Sequence, residues 1–227
     1  MARLNRSTVA EFPHHVTQRG NGRRLVFLDD QDRRIFLRRL KEACEQYDLQ
    51  ILSYCLMDNH FHLIPIPKEA SALSSAMHAL LGPYATYFNH KHGITGRLWQ
   101  GRFYSCVLDE PHLWEAIRYV ELNPVQAGLV RKAEDYSWSS AQSHCGLKQD
   151  DLLAPIHVPG NLITDWSLWL AEECENAGKE LKRIRQHTKT GRPCGSDAFI
   201  DELERIVGRP LKPQKGGRPR TKNLVNG

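Results

Sequence analysis

Two histidines separated by a single residue are the clearest chemical feature of this sequence. His60 and His62 follow an apolar run and a polar break at Met57-Asp58-Asn59, a pattern that predicts two adjacent strands joined by a tight turn. Because side chains alternate across a strand, both histidines project from one face, while Phe61 points to the other. Two converging imidazoles make half of a metal site. The alternative interpretation is a pair of surface polar residues beside a turn.

A predicted helix from Asp109 to Asn123 carries a second reactive group. Asp109 is placed to cap this helix, Pro111 lies in its first turn, and Pro124 predicts that it ends at Asn123. Tyr119 and Asn123, four residues apart, lie together on a flank beside the apolar stripe. Tyr119 is therefore a candidate for chemistry, although a tyrosine in such a place is commonly a packing residue.

The elements that must position these groups alternate between strands and helices. Strands are predicted around residues 12–18, 54–57, 60–66 and 102–108, with helices after residues 30 and 71. This order is that of the split βαβ, ferredoxin-like arrangement, an α+β fold with a central antiparallel sheet and both helices on one face. We expect the histidine strand inside the sheet and the opposite face free for a substrate.

Length and composition limit the class of protein. The 227 residues suffice for one domain with an appendage or for two small domains. No apolar run approaches the roughly 20 residues of a membrane span, and no signal core follows the basic N-terminus. The six cysteines are dispersed without a Cys-x-x-Cys pair, which argues against a disulfide framework. We expect a cytoplasmic protein with no membrane partner.

The basic residues are clustered, although the net charge is only +5. The clusters fall in the first 40 residues, at 179–189 and at 212–222. Together they favour a nucleic-acid partner over ordinary solvated helix faces. Within the last cluster, Gly217-Arg218-Pro219-Arg220 is similar to an AT-hook, in which a flat Arg-Pro segment lies in a narrow minor groove.

Two further histidine groups are weaker candidates for metal ligands. His14-His15 lies in the first predicted strand, and His90-Lys91-His92 lies near the end of the second predicted helix. Paired histidines beside basic residues more often contact solvent or phosphate. Neither group is therefore assigned to the metal site.

Several motifs resemble those of the REP-associated tyrosine transposases, in the HUH single-tyrosine transposase superfamily. His60-Phe61-His62 matches the His-hydrophobe-His motif, and residues 118–129 (RYVELNPVQAGL) are similar to the tyrosine-helix signature. Residues 15–21 (HVTQRGN), 96–103 (GRLWQGRF) and 136–140 (YSWSS) are similar as well. The resemblance predicts an HUH catalytic domain at residues 1–145. It leaves residues 146–227 as a mostly helical or extended basic C-terminal extension with a DNA-binding or regulatory role.

The resemblance implies an enzyme that nicks and rejoins single-stranded DNA near hairpin-forming repeats. Tyr119 would be the nucleophile and form a covalent 5′-phosphotyrosine, while His60, His62 and Asn123 would bind a divalent cation, Mg²⁺ or Mn²⁺. Related enzymes often carry Gln at the position of Asn123. Single-stranded or hairpin DNA would be bound by a monomer or a homodimer. The expected DNA-binding residues are Arg19, Asn21, Arg23, Arg97, Arg102, Arg218 and Arg220.

Two other functions stay open at this point. One is a DNA-binding regulator of the same fold that has lost cleavage. The other is a metal-dependent phosphoesterase that turns over without a covalent intermediate. Cleavage of a labelled oligonucleotide separates these possibilities, because the first does not cut and the second leaves nothing attached to the protein.

Overall fold

The computed structural model describes residues 8–156, 163–172 and 177–212. The strands are β1 (His14–Arg19), β2 (Leu49–Met57), β3 (His60–Pro67) and β4 (Tyr104–Val107). The helices are α1 (Asp30–Gln46), α2 (Ala72–His92), α3 (Glu110–Gln126), α4 (Ala141–His144), α5 (Trp166–Ala171), α6 (Ala177–Thr190) and α7 (Asp197–Val207). Among these helices, none is both long and apolar enough to cross a membrane.

The strands pair antiparallel into a four-stranded sheet in the order β2-β3-β1-β4. With α1 following β1 and α2 joining β3 to β4, this is the ferredoxin-like order, so the predicted α+β fold is confirmed. The turn between β2 and β3 contains Asp58 and Asn59, and Met57 pairs with His60 across it. The histidine strand therefore lies inside the sheet, as predicted, between β2 and β1.

One face of the sheet is covered by α1 and α2. Phe61 points to this face, where its ring centroid lies 4.9 Å from that of Phe36 and 5.9 Å from that of Trp99. Asp29 caps the start of α1: its carboxylate accepts a hydrogen bond from the Asp32 N–H at 2.9 Å. The predicted alternation along β3 therefore separates a core aromatic on one face from two histidines on the other.

The histidine face is not open, which corrects the prediction from the sequence. Helix α3 packs against β2 and β3, and α6 packs against β1 and β4. Ile64 and Cys106 from the sheet share a buried apolar cluster with Val120 of α3 and Ile184 of α6. Apolar residues on both faces of a strand require cover on both faces. The helices of this second layer come from residues after 109, and the periodicity of the strands does not predict where those helices pack.

Helix α3 passes through Pro124 and ends at Gln126, beyond the predicted end at Asn123. Pro124 has no N–H to donate to the Val120 carbonyl, which is why a proline usually stops a helix. Here the side-chain amide of Asn123 lies 3.5 Å from the Val120 carbonyl oxygen and 2.8 Å from that of Tyr119. This amide supplies a donor beside the position where proline removes one, and the helix continues.

Glu121 anchors α3 on a side away from Tyr119, since residues two apart lie about 200° apart around a helix. Its carboxylate is fully buried, at 0 % exposure. It accepts hydrogen bonds from Ser140 Oγ at 2.5 Å and Trp166 Nε1 at 2.8 Å, and it lies 2.6 Å from His144 Nδ1. These partners lie at α4 and α5, so the carboxylate ties three helices together behind the tyrosine.

Residues beyond 145 pack directly on the sheet domain. The Ala154 N–H donates to the Ile51 carbonyl of β2 at 2.8 Å, and the Cys194 N–H donates to the Val107 carbonyl of β4 at 2.8 Å. Helix α7 places Phe199 edge-on to Phe12, with ring centroids 5.7 Å apart. The extension is helical or extended where the structure describes it, as predicted. A division of the chain into domains at residue 145 stays a prediction.

We expect Glu121→Gln to lower the free energy of unfolding by about 2–4 kcal/mol, because an amide NH₂ would then face hydrogen-bond donors in a buried site. Urea denaturation of both proteins measures this loss. Glu110→Gln, at an exposed position in the first turn of α3, is the matched control and should stay within about 0.5 kcal/mol. Equal stability of the Glu121 variant and the wild type would contradict the anchoring role.

Candidate active site

A cleft of about 680 Å³ lies on the histidine face of the sheet, between α3 and α6. Its lining includes His60, His62, Tyr119 and Asn123, the four residues that the sequence assigns to chemistry and metal binding. The two histidine rings have centroids 5.0 Å apart and are nearly perpendicular. The Tyr119 ring centroid lies 5.2 Å from that of His62. The fold thus brings residues from β3 and α3 into one site.

His62 lies deeper than predicted. It is only 4 % exposed, and its Nδ1 lies 2.8 Å from Nε2 of His15. The buried Nε2 of His62 has no hydrogen-bond partner among the described residues. Substitution of His62 by a small residue would leave His15 Nε2 without a partner, so we expect the fold to tolerate such a change less well at His62 than at His60.

His60 lies closer to the cleft mouth and is oriented by its sequence neighbour. Its Nδ1 lies 2.6 Å from the carbonyl oxygen Oδ1 of Asn59. A carbonyl oxygen only accepts hydrogen bonds, so Nδ1 of His60 carries the hydrogen and Nε2 keeps its lone pair. The Asn59 amide nitrogen faces the Arg23 carbonyl at 3.4 Å, which fits this orientation of the amide.

Burial keeps the imidazoles of the site neutral. Desolvation, with the charge of Arg185 acting in the same direction, lowers the pKa of His15 to about 3. Desolvation and the charges of Arg19 and Arg185 lower the pKa of His60 to about 4. Desolvation also holds the pKa of His62 well below its usual range. Neutral imidazole is the form that binds a metal ion.

The donor atoms in the cleft fit a divalent cation. A buried ring nitrogen without a hydrogen-bond partner, such as Nε2 of His62, is costly unless a ligand meets it. The amide nitrogen of Asn123 is engaged by backbone carbonyls, which leaves its Oδ1 as the atom that can serve a cation. Two nitrogens and an oxygen, completed by phosphate and water oxygens, suit Mn²⁺ and are compatible with Mg²⁺.

Tyr119 is held by an arginine from the C-terminal extension. The Arg185 Nε donates a hydrogen bond to the Tyr119 hydroxyl at 3.2 Å, and the guanidinium carbon lies 5.2 Å from the tyrosine ring centroid. Because a guanidinium only donates, the phenol hydrogen must point away from Arg185. In the sequence, Arg185 is one member of the basic cluster at 179–189, and no sequence pattern predicts its contact with Tyr119.

His15 supports the site from β1 and is not placed as a metal ligand. It is 1 % exposed, and both of its ring nitrogens are engaged, Nδ1 by Thr188 Oγ1 at 2.7 Å and Nε2 by His62. Its neighbour His14 faces the other way and contacts the Phe12 carbonyl. The pairing of β1 with β3 in the predicted topology, combined with side-chain alternation, is the signal that could have placed His15 beneath His62.

The group His90-Lys91-His92 does not join the cleft. His92 converges with Asp29 and Asp32 in an arrangement that could hold a metal ion. However, Lys91 Nζ lies 2.7 Å from Asp29 Oδ2 and 2.9 Å from Asp32 Oδ1. An ammonium group already forms ion pairs with both carboxylates there. The cluster therefore ties the start of α1 to the end of α2.

The end of β1 presents basic side chains to the cleft. Arg19 and Arg23 line it, and Asn21 lies exposed between them. The turn requires Gly20, because a Cβ at that position would lie 2.2 Å from the Arg24 carbonyl oxygen. Three of the predicted DNA-binding residues are therefore grouped at the mouth of the site.

A second loop, residues 96–103, lies along this turn. The Gln100 N–H donates to the Arg19 carbonyl at 3.0 Å, and Gln100 itself lines the cleft. Arg97 and Arg102 are exposed on the same loop but are not part of the cleft lining. The remaining predicted DNA-binding residues lie outside the described part of the chain: Arg218 and Arg220.

Comparison with known proteins adds a curated relative and a solved structure. A Haemophilus influenzae protein assigned as a REP-associated tyrosine transposase is 27 % identical over 112 residues, which cover 44 % of this chain. The chain spans 63 % of the length of that relative. The solved structure of a REP-associated tyrosine transposase bound to a REP hairpin matches with a TM-score of 0.51 and 18 % identity, over 70 % of this chain and 100 % of that one. This second likeness concerns the fold.

A family model identifies the chain more directly. The model described as "Transposase IS200 like" matches residues 8–123, half of the chain. This range contains the β1 turn, the histidine strand and the tyrosine helix through Asn123. The resemblance predicted from the motifs is confirmed, and the chain belongs to the IS200-like transposase family.

Proposed function

We propose that this chain is a metal-dependent transposase that cleaves and rejoins single-stranded DNA through Tyr119. The observation that carries the proposal is the position of Tyr119, whose ring centroid lies 5.2 Å from that of His62 in the shared cleft. A phenol beside two neutral imidazoles can reach a phosphate held at a cation on those imidazoles. In-line attack on phosphorus requires the nucleophile to be held beside the phosphate, and Tyr119 would meet that requirement.

The residues of the cleft divide the work between cation binding, phosphate attraction and attack. His60 and His62 would hold a divalent cation through Nε2, with Asn123 Oδ1 beside them. When bound, the cation polarises the scissile phosphate and neutralises charge that develops on its oxygens. Arg19 and Arg23 line the same cleft and attract the DNA backbone.

Arg185 is suited to assist the nucleophile. A neutral phenol is a weak nucleophile and must lose its proton as it attacks. The guanidinium that donates to the Tyr119 oxygen stabilises the negative charge that develops there. Because the phenol hydrogen points away from Arg185, it is free to leave toward solvent or a DNA oxygen in the cleft.

The proposed reaction exchanges one phosphodiester for another. The Tyr119 oxygen bonds to phosphorus, and the bond from phosphorus to the 3′ oxygen of the preceding nucleotide breaks. The phenol loses a proton and the leaving 3′ oxygen gains one, so the charge balances. The resulting 5′-phosphotyrosine retains the energy of the original bond, and a 3′ hydroxyl of another DNA end can reverse the step. Such chemistry serves strand transfer better than hydrolysis.

The shape of the cleft favours an unpaired strand at the scissile phosphate. Tyr119 is 5 % exposed, and its side chain lines the cleft from α3. A paired duplex is too wide and stiff to bring a phosphate to this depth, whereas a single strand beside a hairpin can bend into it. We therefore propose hairpin-associated single-stranded DNA as the substrate, and the solved neighbour bound to a REP hairpin supports this choice. Action as a monomer or a homodimer stays a prediction.

We expect Tyr119→Phe to abolish cleavage while DNA affinity stays within a few-fold, because the change removes the nucleophilic oxygen and keeps the ring. The test uses a hairpin oligonucleotide with an unpaired flank, labelled on either side of the cut. Under denaturing conditions, wild-type protein should retain the label on the 3′ side of the cut.

Two controls make this test specific. Tyr87→Phe removes a hydroxyl from α2, outside the cleft, and should leave cleavage intact. Tyr104→Phe tests the second tyrosine that lines the cleft. A covalent adduct that survives in Tyr119→Phe and disappears in Tyr104→Phe would transfer the role of nucleophile to Tyr104. Cutting without any adduct would favour the phosphoesterase, and binding without cutting would favour the regulator.

Chelation should stop cleavage without unfolding the protein, because apolar clusters on both faces of the sheet hold the fold together without a cation. The measurement is cleavage after EDTA treatment, followed by addition of excess Mg²⁺ or Mn²⁺, with circular dichroism recorded alongside. Either ion should restore cleavage in the wild type but not in His60→Gln. Full activity in the presence of chelator would refute the metal dependence.

We expect Arg185→Gln to slow single-turnover cleavage about 10- to 100-fold, a smaller loss than removal of an oxyanion donor. DNA affinity at a fixed salt concentration should fall only as far as the loss of one positive charge lowers it. Lys182→Gln removes one charge from an exposed position on the same helix and is the matched control. If both variants lost affinity and rate equally, Arg185 would be an ordinary phosphate contact.

A further inference from the structure

A chain of buried hydrogen bonds runs beneath the candidate metal site, from α6 to His62. The Thr188 hydroxyl donates to the Ile184 carbonyl at 2.8 Å. His15 Nδ1 lies 2.7 Å from Thr188 Oγ1, and His15 Nε2 lies 2.8 Å from His62 Nδ1. Thr188, His15 and His62 are 2 %, 1 % and 4 % exposed, so water does not substitute for these partners.

The direction of this chain is set at Thr188. A hydroxyl has one hydrogen, and here that hydrogen goes to the Ile184 carbonyl, which can only accept. Thr188 Oγ1 must therefore accept from the Nδ1–H of His15. The Cys106 thiol, 3.2 Å from the same oxygen, must likewise be a donor to it. With its hydrogen at Nδ1, neutral His15 has a lone pair at Nε2.

The lone pair of His15 then fixes the tautomer of His62. His15 Nε2 accepts a hydrogen bond from His62 Nδ1–H, so His62 carries its hydrogen on the buried side. Its Nε2, the atom without a hydrogen-bond partner among the described residues, keeps a free lone pair. In the opposite direction, His62 would carry its hydrogen at Nε2 and could not bind a cation through that atom.

We propose that Thr188 is a positioning residue for the cation site, acting through His15 to hold His62 in the tautomer whose Nε2 lone pair is free. Thr188 lies on α6, outside the residues 8–123 that the family model matches. Helix α6 is thus part of the site. The inference rests on the proposed function only in taking His62 as a cation ligand, and the tautomer itself does not depend on any reaction with DNA.

The experiment reads the tautomers directly in the metal-free protein. Long-range ¹H–¹⁵N correlation spectra of protein with ¹⁵N-labelled histidine distinguish protonated from unprotonated ring nitrogens. At neutral pH, His15 and His62 of the wild type should both be protonated at Nδ1 and unprotonated at Nε2. A wild-type spectrum with His62 protonated at Nε2 would overturn the proposal, whatever the variants do.

Variants at Thr188 test the origin of this preference. Thr188→Val keeps the shape and removes the hydroxyl, so the two histidines should lose their single tautomer. The affinity for Mn²⁺ alone, measured from the electron paramagnetic resonance of the free ion, should fall about 10- to 100-fold. Thr188→Ser restores the hydroxyl and should recover both the spectrum and the affinity. Thermal unfolding confirms that each variant is folded.

Thr190→Val is the control on the same helix. Its hydroxyl is exposed and donates to the His187 carbonyl at 3.1 Å, so this change should leave the tautomers and the Mn²⁺ affinity as in the wild type. A folded Thr188→Val protein with wild-type tautomers and Mn²⁺ affinity would refute the positioning role. Failure of the proposed function has a different signature, in which the tautomers and Mn²⁺ binding are as expected but DNA is not cleaved.

Discussion

Antiparallel pairing of β1 with β3 is the constraint on which the site depends. It places Thr17 opposite His62 and Arg19 opposite His60, and it brings the neighbouring His15 within hydrogen-bond distance of His62. A slip of one residue would turn every side chain of β3 to the other face, sending both histidines into the aromatic core and Phe61 into the cleft. Such a slip would expose the ring of Phe61, which costs free energy. The burial of Phe61 therefore helps to keep both histidines on the cleft side of the sheet.

Two polar side chains near Tyr119 are buried, with opposite results for their hydrogen bonds. Behind Tyr119, the buried Glu121 is surrounded by donors, so it fixes α3. In front, His62 is buried with one ring nitrogen bonded to His15 and the other without a protein partner. A buried polar network in which every group has a hydrogen-bond partner is rigid. A buried atom without a protein partner is costly, and a bound ligand would remove that cost. The tyrosine helix lies between the two.

The C-terminal extension contributes to the candidate site from outside the region that the family model matches. The matched region, residues 8–123, holds the proposed nucleophile and cation ligands. Two residues from outside this region support the site: Arg185 contacts the tyrosine and Thr188 contacts His15, and they lie one helical turn apart on α6. Helix α6 occupies the face of the sheet that a bare ferredoxin-like domain would leave open. In the proposed reaction, DNA would therefore reach Tyr119 along the cleft between α3 and α6.

The sequence by itself determined the elements and which candidate residues lie on them. Strand alternation at residues 60–62, the Asp109 cap and the spacing of Tyr119 and Asn123 depend on neighbours a few residues away, so periodicity and capping rules suffice, and the motifs indicated the family. The end of α3 was misplaced because the Asn123 side chain compensates for Pro124. Tertiary structure alone decided the partners: Thr188 and His15 are 173 residues apart, and Arg185 and Tyr119 are 66 apart. No local pattern encodes such contacts, because they arise only when α6 packs on the histidine face of the sheet.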